Sequence, residues 1–289
     1  MSHERFYSRV NGPTVHQYNR IRWLDEVTPR HLAGGGDPRH VTEYLLAASW
    51  SNHSVPGYPH VLLESPDRQL HLTLEPTAPE PRAAWWRVHP AERREWSAQF
   101  GGHTPVEIIA GFTDAVTSHA LVPLGDLWHL AAGRGWSLLR QGPEMYALSP
   151  DETAMLAVVP NSVASDTPEW RWKAEVFADR RWLWGASIDE EAPPAAIAGF
   201  VTALTDPAPL LRDEGQEPSA AFHRTATLSA VSPEQLRQMH RQRLEVAQRS
   251  MPHPPGRNRA TRAVTSQEAP LAGRSAPPNC LTTRFMQGR

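Results

Sequence analysis

Apolar positions along the chain change their period several times, and each change marks an element. Val41, Tyr44, Leu45 and Ala48 follow the three-and-four spacing of an amphipathic helix, with Asp37 as cap and Pro38 at the first helical position; a helix is predicted over about residues 38–49. The period then drops to two. Leu70, Leu72 and Leu74 point one way and His71, Thr73 and Glu75 the other, as in a half-buried strand, and with His60 to Leu63 they make a β-hairpin. Ser65, Pro66 and Asp67 between the strands are turn chemistry, since Pro presets φ and the flanking oxygens bond the turn backbone. Aromatic, alternating strands follow at Trp85 to His89 and Trp96 to Phe100, then a helix with Thr104 as cap, Pro105 at its first position and Glu107 reaching back as a capping box.

The pattern then repeats. His103 to Ser118 aligns without gaps on Glu191 to Asp206 at an offset of 88, and Trp96 to Phe100 aligns on Trp184 to Ile188 at the same offset. Trp86 pairs with Trp172 and Trp50 with Trp136 at 86, while Ser65-Pro66-Asp67 pairs with Ser149-Pro150-Asp151 at 84. Landmarks in one order at nearly one offset indicate duplication. The second copy carries strands at Trp170 to Val176 and Trp182 to Ile188, and its closing helix matches the stripe Ile108 or Ile109, Phe112, Val116 with Ile197, Phe200, Leu204. Gly111 and Gly199 fall inside these helices beside an alanine, where glycine costs about 1 kcal/mol relative to alanine; close approach of another backbone is the expected reason.

The predicted fold class is α+β: two tandem repeats over residues 38–118 and 124–206, each a helix, an antiparallel sheet of about four strands and a helix, packed about a pseudo-twofold axis. Residues 1–37, with Val15, Tyr18, Ile21, Trp23 and Leu24, are expected to form an arm or strand docked on the first copy. After Pro207 a linker leads to Ser232, Pro233 and Gln235, which open a helix over 232–249. Residues 250–289, poor in large apolar side chains, are expected to be a disordered basic tail.

Composition sharpens this only in places. No apolar run is long enough for a membrane span or secretory signal, so no membrane association is expected and the default location is cytoplasmic. A single Cys280 gives neither an internal disulfide nor a zinc framework. The formal charge of −2 hides an asymmetry: residues 231–289 hold ten arginines against three acids, a net +7, which leaves −9 for the rest. That tail is read as solvated, with a phosphate or acidic-protein contact as the alternative.

The run Thr28 to Glu43, the two Ser-Pro-Asp turns, the Trp-x-Ala-x-Phe strand at Trp96 and the helix from His103 together resemble the SPDY-type domain of unknown function, found in actinobacteria usually as two copies. The tyrosine of the family's turn is replaced by Arg68 and Glu152. The resemblance implies an accessory protein, often of a mobile genetic element, with no catalytic residues to carry over.

Candidate chemistry is sparse. His53, His60, His71, His89 and His103 crowd the first copy, but the second has none at the matching positions and no short ligand spacing is present, so solvent-facing strand histidines are expected and no metal. Gly34, Gly35 and Gly36 precede a helix, yet Asp37 occupies the cap where a phosphate would sit. Asp189, Glu190 and Glu191 are read as a solvated acidic loop near a helix start. Most tryptophans are assigned to the core, with one of Trp85 and Trp86 left for a partner. The leading expectation is a non-enzymatic protein-interaction or accessory module without cofactor, and the alternative is a nucleic-acid-associated protein. The candidate partner contacts are Trp85, Arg237, Arg241, Arg243 and Arg249.

Overall fold

The computed structural model describes residues 22–76, 82–92, 95–118, 127–160, 169–213 and 225–249. Val15, Tyr18, Ile21, Cys280 and the predicted basic tail over 250–289 lie outside the described residues. The first copy consists of α1 (Arg39–Ala47), β2 (Ser51–Asn52), β3 (Val61–Glu64), β4 (Leu70–Leu74), β5 (Ala84–Pro90), β6 (Ala98–Gly101) and α2 (Val106–Ser118), with β1 (Arg22–Thr28) ahead of it. The second consists of α3 (Leu127–Gly133), β7 (Ser137–Gln141), β8 (Glu144–Leu148), β9 (Ala154–Pro160), β10 (Trp170–Ala178), β11 (Arg181–Asp189) and α4 (Pro194–Thr205). The strands β12 (Leu210–Asp213) and β13 (Thr225–Val231) and the helix α5 (Pro233–Arg249) follow.

Each copy has five strands rather than about four, because a short outer strand (β2 or β7) precedes the hairpin. The two sets join into one antiparallel sheet of ten, in the palindromic order β2-β3-β4-β5-β6-β11-β10-β9-β8-β7. Registers repeat as well. Leu63 faces Leu72 in the first copy and Ala147 faces Leu156 in the second; Val88 faces Ala98, and Ala174 faces Ala186. At the seam Ala98, Gln99 and Phe100 pair with Ile188, Ser187 and Ala186, a register symmetric about Gln99 and Ser187 at the offset of 88. A side chain shifted by one residue would change face, so a preserved register preserves the buried set.

The same axis passes between α2 and α4. A Cβ on Gly199 would collide with the Gly111 carbonyl and Ala115, and one on Gly111 would collide with the Gly199 carbonyl and Ala203. These glycines therefore occupy helix interiors because two backbones touch there. Phe100 joins the halves beneath them, 5.7 Å from Phe112 and 5.8 Å from Phe200 between ring centroids. Trp86, Trp96, Trp184, Trp50 and Trp136 are all buried in one continuous core with both helix stripes. Trp172 is only half-buried and stacks on Trp128 at 5.2 Å.

The ends of the chain depart from expectation. Within residues 1–37, the Gly35 carbonyl accepts from the Val106 N–H of the first copy at 2.9 Å, but strand β1 does not join the first copy's sheet. It is the middle strand of a separate three-stranded sheet, between β12 and β13, both of which lie in the segment read as a linker. Short runs such as Leu210 to Asp213 carry little periodicity alone, and long-range pairing makes them strands. The expected capping box on α2 is also absent: Thr104 Oγ1 is buried without a partner, and Glu107 turns to Arg212. The box does form on α5, where Ser232 Oγ accepts from the Gln235 N–H and Gln235 Oε1 accepts from the Ser232 N–H.

Candidate functional site

All four helices of the two copies pack on one face of the large sheet, so the alternate residues of each strand face away from them. On that open face stand His71, Thr73 and Glu75 of β4, Arg87 and His89 of β5, Gln99 of β6, Arg171, Lys173, Glu175 and Phe177 of β10, and Ser187 and Asp189 of β11, none of them buried. Along the seam this face is where the pseudo-symmetry breaks. At one end Asp189 accepts from the Ser97 N–H (2.8 Å) and hydroxyl (3.0 Å) and pairs with Arg171 at 2.7 Å, so the copies are laced together. Asp189 is thus a seam residue, not merely part of a solvated acidic loop.

The residues related to Ser97 and Asp189 by the offset of 88 are Gly185 and Gly101. Neither has a side chain to close the other end of the seam. A groove of about 190 Å³ opens there, floored by Gly101 and Gly185 and walled by Arg82, Gln99, Lys173, Glu175, Trp182 and Ser187. The Trp182 indole lies against Gly185, and the Arg82 guanidinium sits over its ring at 5.4 Å, a cation–π contact that holds both in place. Its walls combine an aromatic plane, two cations, one carboxylate and short polar groups, which suits recognition of a polar or aromatic side chain. The sequence held a signal: within otherwise matched strands, Ser97 aligned at the offset of 88 on Gly185, and Gly101 on Asp189, are mismatches.

The residues singled out from sequence are placed elsewhere. Trp86 is buried, whereas Trp85 is the extra residue of an irregularity in β5 and seats its indole on Gly102, half-buried. Arg243 faces inward: it pairs with Asp114 at 2.8 Å, donates to the His40 carbonyl at 3.0 Å and covers the Tyr44 ring at 4.4 Å, which anchors α5 on α1 and α2. Arg237 and Arg241 both pair with Glu234, and Arg249 pairs with Glu245. Four basic side chains placed on one helix are therefore matched by acids, and they do not converge with Trp85 on a common site.

The Ser-Pro-Asp segments are turns. In each, the serine hydroxyl donates to the aspartate two residues on at 2.6 Å and accepts a backbone N–H at 2.9 Å, from Leu70 or Ala154. Arg68 and Glu152, at the family's tyrosine position, hold φ of 60° and 59°. The second turn is covered by a buried side chain from ahead of the first copy. Buried His31, to which the sequence pattern assigns no role of its own, donates from Nε2 to Thr153 Oγ1 at 2.7 Å, and that hydroxyl in turn donates to Asp151. Burial would raise the Asp151 carboxyl, but the hydrogen bond and charge of His31, with the Ser149 and Thr153 hydroxyls, hold it well below the usual carboxylate range.

The triple glycine serves a cation, not an anion. Carbonyls of Ala33 and Gly34 accept from Arg212, whose guanidinium also grips both oxygens of Glu107 at 2.8 and 2.6 Å. Arg212 is 4% exposed, and its charge outweighs the burial that would otherwise raise the Glu107 carboxyl. His40 nearby is pushed down to about 4, chiefly by burial and then by Arg243. In the first copy His53 and His71 flank Glu64 at 3.2 and 3.6 Å, and no three metal-ligating side chains come together among the described residues. Nor is any helix among the described residues long and apolar enough to cross a membrane.

Neither a curated protein nor a solved structure matches the chain. A family model does: SPDY, described as a domain of unknown function (DUF317), matches residues 64–122 and again residues 148–210. The matched stretches begin 84 residues apart and end 88 apart, the same drift seen between the turns and the closing helices. Each runs from the end of β3 or β8 through the next three strands to the helix at the axis, so the two stretches that match the SPDY model are joined edge to edge in the sheet.

Proposed function

We propose that the chain is a non-enzymatic interaction module that takes a protein partner on the open face of its ten-stranded sheet, with the groove at Gly101 and Gly185 as the anchoring point. The observation that carries this reading is the broken symmetry of the seam: one end is laced by Asp189 and Ser97, and the other is left without side chains between Trp182 and Gln99. Aromatic and arginine side chains around a small concavity are the features that dominate protein–protein binding energy. Phe177, 36% exposed and paired with Trp182, extends the apolar surface beside it.

Affinity purification from native cells with the intact chain, Gly101→Val and Trp182→Ala tests this. A Cβ at 101 meets Gly185 O at 3.4 Å, an ordinary contact, so a side chain there narrows the groove, and circular dichroism of Gly101→Val checks that the sheet is kept. The intact chain should retain a partner that both variants lose by tenfold or more, the scale of a central interface residue. Equal retention by all three, or binding only of nucleic acid that falls steeply with salt and disappears on replacing Arg237, Arg241 and Arg249, overturns the reading.

A further inference from the structure

The two outer edges of the large sheet are built differently. At the first copy's edge β2 has two residues, and the following loop folds over β3: the His53 N–H donates to the Leu62 carbonyl at 2.9 Å, and the Leu62 N–H is taken by Ser54 Oγ at 3.0 Å. That loop carries Pro56 and Pro59. A short strand and prolines are the usual means of preventing edge pairing. At the second copy's edge β7 has five residues, Ser137-Leu138-Leu139-Arg140-Gln141, every one exposed, and among the described residues only β8 pairs with it. No proline or charge sits on its outward centre; instead Leu139 is 64% exposed.

We propose that β7 is the contact of a twofold homodimer, in which β7 pairs antiparallel with β7 of a second copy. The hairpin fixes which groups are available. Gln141 and Glu144 close a two-residue turn at Gly142, whose φ is +61°. In such a hairpin the closing pair and every second pair from it exchange backbone bonds, so Ser137, Leu139 and Gln141 bond to β8, while Leu138 and Arg140 direct N–H and C=O outward. A second β7 centred on Leu139 sets Leu138 against Arg140 of its mate in two bonded pairs. Leu139 then meets Leu139 at the axis in the closer, non-bonded position. No like charges face each other, since Arg140 meets leucine.

A second copy fits better than a foreign strand for two reasons. The strand is self-complementary about its central residue, as a twofold contact requires. Because the opposite edge offers only a two-residue strand followed by prolines, pairing stops at two chains instead of growing into a filament. The chain already uses this junction internally, where β6 and β11 join two homologous units about an axis.

Sedimentation velocity of the full chain should show a concentration-dependent dimer. Leu139→Lys, which opposes two like charges on an exposed site, should weaken it by about tenfold or more without altering the circular dichroism spectrum. In a Cys280→Ser background, Leu139→Cys should cross-link under mild oxidation, because the non-bonded pair sets Cα atoms about 4.5 Å apart. Ser137→Cys should not, since Ser137 opposes Gln141 and lies about 13 Å from its own counterpart. A chain monomeric at all concentrations, a dimer indifferent to Leu139→Lys, or cross-linking that is equal at 137 and 139 overturns the proposal.

Discussion

The two halves of the sheet share register, turn and axis contacts, yet each is tied to the rest of the chain by different side chains. In the first half α2 carries Glu107, gripped by Arg212 of β12, and Asp114, gripped by Arg243 of α5; the positions at the offset of 88 in α4 are Ala195 and Thr202. In the second half the Ser149 turn is roofed by His31, and Arg30 reaches the Ala203 carbonyl and Asp206. Duplication thus kept the residues that shape the sheet, while the partners of the added segments diverged, because those segments meet each half from a different side. A symmetric pair becomes an asymmetric molecule through its attachments.

The largest way to break this comparison is to remove one attachment. Arg212→Ala leaves the half-buried Glu107 carboxylate without its partner, and a loss of about 3 kcal/mol is expected in urea unfolding. Replacing both Arg212 and Glu107 with apolar residues should recover much of it. Next comes the element the halves share: Gly199→Ala forces a methyl into the Gly111 backbone, with an expected cost of about 3 kcal/mol. Its counterpart Gly111→Ala meets the Gly199 carbonyl and Ala203 in the same way and should cost a similar amount.

Smaller effects sharpen the contrast. Ser149→Ala and Ser65→Ala remove the same turn bonds, but only the first also disturbs the buried His31 network; the expected costs are about 2 and about 1 kcal/mol. Acid should act first through the first half and then, below pH 4, through the second. His40 resists protonation until about pH 4, whereas the unfolded chain accepts the proton near 6.5, so the unfolded state binds more protons across that window. Stability should therefore fall as pH drops from 6.5 toward 4. His40→Gln should flatten that slope in thermal melts, and Asp151→Asn should remove the further loss below pH 4 that comes from its depressed carboxyl.

Much of the architecture is legible in the residues themselves. Period-two leucines, Trp-rich strands and the repeated Gly-Phe helix state the α+β class, the duplication and the close approach at Gly111 and Gly199, because spacing, propensity and glycine's missing side chain are local properties. The candidate site was less so. Trp85 and the four arginines of α5 stand out in the sequence by aromatic pairing and charge, but their availability depends on what lies opposite, and acids on the same helix or on α2 meet all four arginines.

What tertiary structure alone decided is everything set by pairing across distance: that ten strands form one sheet, that β1 joins β12 and β13, that His31 roofs the second turn, and that one seam end is laced and the other open. None of these has a period to read. A strand's neighbour is selected by the total burial and hydrogen bonding of the assembled chain, and the same short apolar run serves equally well at an edge, in a small separate sheet or in a linker until that sum is taken.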